Sequence, residues 1–361
     1  MTDGASRPDP AVEIRMTTLH ATRGANFWST RPVMRLDMVV GAYEDISSAD
    51  VPGFTDALIS AMPGLEAHRC SIGERGGFIM RLRDGTYAPH IVEHIALELQ
   101  TMIGHDVGYG RTRGGDNEGE YTLVFEHMHE GVGLRAAALA LETVQHAFAG
   151  TLSNVDHAVA ELSALAALPD VPRLRQHVLC GITGGSDRSA TRDEIVRRRS
   201  ASAELIVDVS PAFLLQAGLP YSRSDIAIVM DTQLTDVPER YREEERAQRL
   251  MATVSDAVAR NGIVIVPAKE WEVQDKVREA GCRVAIFATD SNVTRRDRKV
   301  ARAVAMVTDS RIVVHTKGER TDLGEVRDDA PIAAQVAGAL AAFTLNELQP
   351  HAAAASTERE S

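Results

Sequence analysis

The chain has 361 residues, of which 25% are charged and 44% apolar, a globular composition long enough for about two domains with a core each. Fifty-one acidic residues against 39 basic ones leave a formal charge of −12. That balance argues against a nucleic-acid or anionic-membrane protein as a whole, and suits a cationic or arginine-bearing ligand better. No apolar run of about 18 residues occurs, and the first residues lack an apolar stretch ending in a cleavage site, so no membrane span and no signal peptide are expected. Cys70, Cys180 and Cys282 are far apart and odd in number, which gives neither a disulfide framework nor a C-x-x-C metal site. The expectation is a soluble, cytoplasmic protein.

Residues 1–12 are small, polar and proline-containing and read as a mobile tail, as do 349–361 at the other end. VMRLDMVV (33–40) reads as a strand. Pro52 opens a helix through FTDALISAM that Pro63–Gly64 stops. GFIMRL (77–82) reads as a second strand, and PHIVEHIALELQTMIG (89–104) as a helix, with proline in its first turn, glycine at its end and apolar residues at Ile91, Ile95, Leu99 and Ile103. YTLVFEHM (121–128) is a strand, and Ala/Leu-rich helices over about 132–148 and 155–167 close the domain. Pro169 and Pro172 mark a boundary within 167–176, so the expected domains are 13–168 and 174–348.

Beyond the boundary, HVLCGIT, ELIVDV, DIAIVMD, GIVIVPA and RVAIFAT are short apolar runs, each followed by a turn or an amphipathic stretch such as PERYREEERAQRLMATVSDAVARNG. Continuous apolar strands separated by helices indicate a mainly parallel sheet covered on both faces. AMVTDSRIVVHTKGE resembles a hairpin around Asp309–Ser310, and a last helix runs through IAAQVAGALAAFTLNEL. The fold class is α/β: a small α/β amino-terminal domain followed by this larger sheet.

The sharpest chemical signal is His90-Ile-Val-Glu93-His94. On a helix, positions i and i+4 share a face, so both imidazoles can reach one cation, and Glu93 beside them can accept a proton from water activated there. This is the H-x-x-E-H pattern of inverted zinc peptidases; against it stands a surface helix with two ordinary histidines. A catalytic zinc needs a third ligand. Glu98 lies one turn beyond His94, but three ligands from one straight helix converge poorly. On the 121–128 strand Glu126 and Met128 point one way while His127 and His129 point the other, so either Glu126 or the histidine pair can face the cation.

In GYGRTRGG (108–115), Arg111 and Arg113 sit in a glycine-rich loop where two guanidinium groups can clamp carboxylates or phosphates, unless the loop is merely solvated. Arg75, in Glu74-Arg75-Gly76-Gly77, is a weaker instance of the same kind. Arg197-Arg198-Arg199 reads as an exposed helix end, and Trp28 and Trp271 as packing. Gly181-Ile-Thr-Gly-Gly-Ser-Asp-Arg-Ser follows an apolar strand as a phosphate loop does. Such a loop needs glycine freedom and a lysine before Ser/Thr. Here Gly184 is followed by Arg188-Ser189 where Lys-Thr would stand, and Asp187 places a negative charge where a glycine belongs. ATP binding is therefore disfavoured.

ATRGANFWSTRPVMRLDM, VPGFTDAL, the Gly-Gly-Phe at 76–78, APHIVEHIALELQ, VGYGRTR and YTLVFE follow each other as in the amino-terminal domain of cyanophycin synthetase, and the resemblance covers roughly residues 14–165. Cyanophycin is a poly-aspartate backbone with arginine on each side chain. The resemblance implies a metal-dependent, peptidase-like domain that cuts the polymer into primers, with His90, Glu93 and His94 on its metal-site helix. It also implies an acidic residue at Glu126 as third ligand, since His127 stands where the family usually has an aromatic.

The second half resembles a cut-down Mur-ligase-type portion of the same synthetase, through ELIVDVSPAFLLQAGLPYSRSDIAIVMDT and RIVVHTKGERTDLGEV…PIAAQVAGALAAF. It departs at Asp208, at Pro211-Ala212 and at Asp236-Val237, and the expectation is a chain without the ATP-grasp and carboxyl-terminal ligase domains of a polymerase. Two readings follow. One is a zinc-dependent hydrolase of a cyanophycin-like polymer or acidic peptide, with Glu93 as base and a nucleotide-incompetent scaffold domain; two histidines and a glutamate also accept manganese or iron. The other is a silent pseudo-synthetase that binds polymer, a full-length synthetase or its own copy. A surviving ATP-dependent amide ligase fails on the missing lysine.

Overall fold

The computed structural model describes residues 7–172, 174–199 and 202–357. By internal contacts the chain divides into two units, Met1–Arg23 with Trp28–Arg173, and Gly24–Phe27 with Leu174–Ser361. The first unit contains α1 (Pro10–Glu13), β1 (Arg15–Ala21), β2 (Val33–Val39), α2 (Phe54–Ala61), α3 (Gly77–Asp84), α4 (Ala88–Met102), β3 (Gly110–Gly114), β4 (Glu120–Glu126), α5 (Glu130–Ala149) and α6 (Asp156–Ala166).

Its four strands form one antiparallel sheet in the order β1-β2-β4-β3. Alternate residues of each strand face opposite sides. Met34, Leu36, Met38, Leu123 and Phe125 all join the core with Ile91, Ile95 and Leu99 of α4 and Ala136, Ala140 and Val144 of α5. The opposite face carries Arg35, Asp37, Thr122 and Val124. These contacts lay one face of the H-x-x-E-H helix on the sheet, and the helix is buried on nearly every side from Ala88 to Gln100.

Two segments differ from the sequence expectation. GFIMRL is not a strand but the body of α3: Gly76 enters it in the left-handed region (φ 83°), and Phe78, Ile79 and Leu82 are buried at helical spacing. A short apolar run has no period of its own that separates strand from helix. The glycine-rich segment 108–115 is not a free loop. Its Gly110–Gly114 stretch pairs with β4 as the edge strand of the sheet.

The second unit contains β5 (His177–Thr183), α7 (Arg188–Arg199), β6 (Ile206–Asp208), α8 (Pro211–Ala217), β7 (Arg223–Val229), α9 (Glu244–Ala252), β8 (Val258–Pro267), α10 (Trp271–Glu279), β9 (Arg283–Ala288), α11 (Arg295–Val300), β10 (Ala301–Thr308), β11 (Arg311–His315), β12 (Arg320–Glu325) and α12 (Ile332–Thr357). Its eight strands run β12-β11-β10-β9-β8-β7-β5-β6. They are parallel from β6 to β10, and β11 and β12 add antiparallel at the edge. Ile226, Ile228, Ile263 and Ile265 pack with Val336 and Leu340 of α12, while the alternate residues Ala227, Val229, Val264 and Val266 are equally buried. Burial on both faces is why these strands read as unbroken apolar runs. The hairpin turns at Asp309 and Ser310, both at positive φ, the geometry that two-residue hairpin turns require.

Parts of both expected tail segments fall in helices. Asp9 caps α1, accepting from Ala11 N at 2.9 Å, and Tyr43 donates to Pro8 O at 2.8 Å. At the far end α12 runs on through Thr357, where an alanine run favours helix. The remainder of both expected tails, residues 1–6 and 358–361, lies outside the described residues.

Candidate metal centre

Pro89 in the first turn of α4 supplies a fixed φ where the helix needs no amide donor. One turn apart, His90 and His94 stand with ring centroids 4.8 Å apart. Opposite them the chain turns sharply: Cys70 is in the left-handed region (φ 53°), followed by Gly73 and Gly76 at positive φ before α3 begins. A non-glycine residue in that region is strained, and such strain gathers at functional positions. The turn brings the Cys70 thiol 3.3 Å from His90 Nε2. Cys70, His90 and His94 each offer a donor atom, all within 4.8 Å of one another.

Each imidazole is braced on its other nitrogen. His90 Nδ1 is 2.9 Å from Thr86 Oγ1. His94 Nδ1 is 2.9 Å from His68 Nδ1, whose Nε2 is in turn 2.9 Å from Glu98 Oε2. Phe78 of α3 stacks on the His94 ring, centroids 3.9 Å apart. Fixing Nδ1 orients the ring and leaves Nε2 for a cation, the arrangement metal-binding histidines use. Burial pushes His90 down to about 4, helped by the Arg81 charge, and His94 down to about 2, helped by His90, His68 and Arg81. Both are therefore neutral and able to ligate across the physiological range. One thiol and two imidazoles suit a soft to borderline cation, and three protein donors leave a coordination position open.

Glu93 lies beside this set, only 6% exposed. Thr112 Oγ1 of β3 donates to its Oε2 at 2.5 Å. Gly110 of the same strand makes room for it: a Cβ there would lie 2.6 Å from Glu93 Oε1. Burial pushes the Glu93 carboxyl up to about 7, against the lowering effects of Thr112 and the Arg111 charge. A carboxylate balanced near neutrality is suited to accept and return a proton. His68, Cys70, His90, Glu93, His94 and Glu98 all line one cavity of about 1150 Å³.

The other sequence candidates lie as follows. Glu126 follows Phe125, which faces the α4 core, so alternation turns the Glu126 carboxylate to the opposite face of the sheet. There it accepts from Ser29 Oγ at 3.2 Å and from the Gly108 and Tyr109 amides at 3.4 and 3.3 Å, with Arg31 3.7 Å away. His129 accepts from Val132 N and caps α5, and His127 is buried. Glu98 serves His68 rather than the cation position. Arg111 and Arg113 are exposed on β3 and border the cavity; Arg75 is exposed in the turn ahead of α3 and is not among the lining residues. The sequence reading missed Cys70, His68, Thr86 and Thr112. A single cysteine twenty residues before a histidine pair has no spacing rule, and only the fold joins them.

In the second unit the phosphate-loop segment is filled from within. The Asp231 carboxylate accepts from Gly185 N at 2.7 Å, Ser186 N at 3.0 Å, Ser186 Oγ at 2.6 Å and Gln233 N at 3.0 Å. Asp187 takes a left-handed conformation (φ 55°) where the motif has glycine. Arg188 donates to Gly184 O, and Ser189 donates to Asp208 Oδ2 at 3.3 Å.

Residues 35–149 match the family model described as Cyanophycin synthase-like N-terminal domain. Cyanophycin synthetase of Trichormus variabilis is 44% identical over 136 residues, covering 37% of this chain and 15% of the relative. That of Synechocystis is 46% identical over 126 residues, covering 33% and 14%. Solved structures that align include a pseudomurein peptide ligase type C from Methanothermus fervidus (TM-score 0.35, 10% identity, 48% of this chain and 47% of that one). Another is a UDP-N-acetylmuramoyl-L-alanyl-D-glutamate–2,6-diaminopimelate ligase (TM-score 0.36, 10% identity, 61% and 56%). The chain spans only about a seventh of the length of the curated relatives it matches, and the residues 35–149 matched by the family model include His90, Glu93 and His94.

Proposed function

We propose that the first unit is a metal-dependent peptide hydrolase acting on cyanophycin or a related aspartate/arginine polymer. The observation that carries this reading is the convergence of Cys70, His90 and His94, with both imidazoles braced on Nδ1, beside a buried Glu93. Zinc fits that donor set, with Cys70 in place of the Glu126 expected from the sequence. When bound there, zinc supplies Lewis-acid chemistry, lowering the pKa of water and polarising a carbonyl. Glu93 takes the proton from the attacking water and returns it to the leaving amine, a role its raised pKa suits. Thr112 holds that carboxylate in place, and the buried position excludes bulk water around it. The second unit, with Asp231 seated in its phosphate loop, is a nucleotide-independent scaffold.

The test is zinc-loaded protein with soluble arginyl-poly-aspartate, counting new amino termini over time, with a chelator control and Glu93→Gln. Cleavage that needs both metal and Glu93 supports the hydrolase. Zinc binding without cleavage of this polymer removes the substrate assignment. Neither metal binding nor cleavage leaves the second reading, a silent binding partner of polymer or of a full-length synthetase, which the filled phosphate loop favours in one half of the molecule.

A further inference from the structure

Strand alternation divides the side chains of β3 between two faces. Thr112 turns toward α4, where it donates to Glu93 at 2.5 Å, so Arg111 and Arg113 on either side of it face away from α4. Across the sheet Arg111 pairs with Val124, which pairs with Arg35 of β2, and Arg113 pairs with Thr122, which pairs with Asp37. Arg35, Asp37, Arg111 and Arg113 therefore share the outer face of the sheet, with Val124 and Thr122 between them. The α4 helix, with Glu93 and both histidines, belongs to the other face.

Arg35 is only 5% exposed. Its Nη2 donates to Asp37 Oδ1 at 3.0 Å, but its Nε and Nη1 are buried with no hydrogen-bond partner among the described residues. The Asp37 carboxylate is already engaged on both oxygens, accepting from Thr122 and from Thr18 at 2.6 Å each. Buried donors of a charged group are costly to leave without an acceptor. Arg111 and Arg113 are exposed, and neither has an ion pair among the described residues. Three guanidinium groups against the one Asp37 carboxylate leave an excess of two positive charges. At the ends of the face the acids have cations of their own: Arg31 lies 3.7 Å from Glu126, and Glu120 shares a row with Arg15 through Val39. With neighbouring strands about 4.8 Å apart, Arg35 and Arg111 start about 10 Å from each other, and Arg111 and Arg113 about 7 Å. Arginine side chains can meet over Val124 on one small anion.

The geometry points to an anion site on this outer face, in which Arg35, Arg111 and Arg113 together hold a phosphate group. A phosphate monoester carries about −1.5 to −2 at pH 7 and three strong acceptor oxygens, matching both the excess charge and the three guanidinium groups. A carboxylate has one charge and two oxygens. The same chemistry comes as free phosphate or as a small phosphate monoester, and separate titrations distinguish the two. The site uses neither the metal donors nor Glu93, and stands apart from the hydrolase reading.

Binding is measured by isothermal titration calorimetry on the zinc-loaded full chain with inorganic phosphate, glycerol 3-phosphate and acetate, and again after chelation. Expected is binding of the two phosphates, with or without metal, at least about tenfold tighter than acetate; the tighter of the two identifies the source. Arg111→Gln/Arg113→Gln, exposed on an edge strand, weakens phosphate at least about tenfold, since two charge-assisted contacts are removed. Arg35→Lys, which keeps a charge but loses Nε and Nη1, weakens it as well, whereas Arg188→Gln in the second unit leaves it unchanged. Binding that vanishes on chelation places the phosphate on the metal and overturns the inference. So does binding lost in Arg188→Gln, acetate held as tightly as phosphate, or affinity indifferent to Arg111→Gln/Arg113→Gln. Cleavage of arginyl-poly-aspartate tests the hydrolase separately, and either reading can fail without the other.

Discussion

The Cys70 thiol lies 3.3 Å from His90 Nε2, although twenty residues separate them and Cys70 must adopt a left-handed backbone to get there. Cys70→Ser keeps the shape but exchanges a soft ligand for a hydroxyl. Zinc affinity, read by chelator competition, is expected to fall by more than the roughly 10- to 100-fold typical of losing a supporting hydrogen bond. Unchanged affinity would remove Cys70 from the ligand set.

Glu98 bears on His94 through His68. Glu98→Gln leaves His68 with a neutral partner and His94 less firmly oriented, so zinc affinity should drop about 10-fold or more. His68→Ala should match it, and combining the two should cost little beyond either alone, because they act in one chain. Additive losses would show that the two residues act separately.

Gly110 gives Glu93 its place against β3. Gly110→Ala puts a methyl group 2.6 Å from Glu93 Oε1 and moves the carboxylate. Turnover of a cleavable substrate should fall about 100-fold, the usual effect of a displacement near 1 Å, with zinc stoichiometry unchanged. Equal loss of metal and activity would instead indicate a general collapse of the site.

Glu194 is a buried carboxylate in the second unit gripped by Arg197, Arg198 and Arg327. Burial by itself would raise its pKa, but the hydrogen bonds from Arg197, Arg327 and Arg198 outweigh that and hold it down to about 2, from an ordinary 4.5. A depressed carboxyl stabilises the fold above the unfolded value, so its contribution is full above about pH 4.5 and is lost as pH falls toward about 2. Glu194→Gln should destabilise by about 1.5–3 kcal/mol at neutral pH, since the buried carboxylate loses its charge-assisted hydrogen bonds to three partly exposed arginines, and should flatten the stability profile between pH 4.5 and 2. Urea melts across that range measure both.

Asp231 satisfies three backbone amides. Asp231→Ala leaves Gly185, Ser186 and Gln233 without their acceptor and should cost about 1–3 kcal/mol, seen as a lower melting temperature. Full recovery of that stability in the Asp231→Asn variant would mean that one carbonyl oxygen is enough and the negative charge is not needed.

The parts of this molecule legible in its sequence are those governed by local period. The α4 pattern with Pro89, the unbroken apolar strands of the second sheet and the hairpin at Asp309–Ser310 depend on residues close together in the chain. GFIMRL reads as a strand because six mostly apolar residues are too short a run to separate a period of 2 from one of 3.6. GYGRTRGG looked like a loop because its glycines hide the pairing with β4. Glu126 is expected as a ligand only through the family resemblance, because alternation tells which neighbours share a face but not which face meets α4. Cys70, His68 and Thr112 reach the site only by folding, so no spacing in the chain could announce them.

The carboxylate of Asp231 also changes what the second unit depends on. A loop that borrows its anion from a bound nucleotide is stabilised in proportion to the nucleotide supplied. Here the anion is part of the chain, and its effective concentration never dilutes. On the scaffold reading proposed above, the loop is expected to hold the same conformation with or without nucleotide, as a fixed support rather than a sensor of fuel.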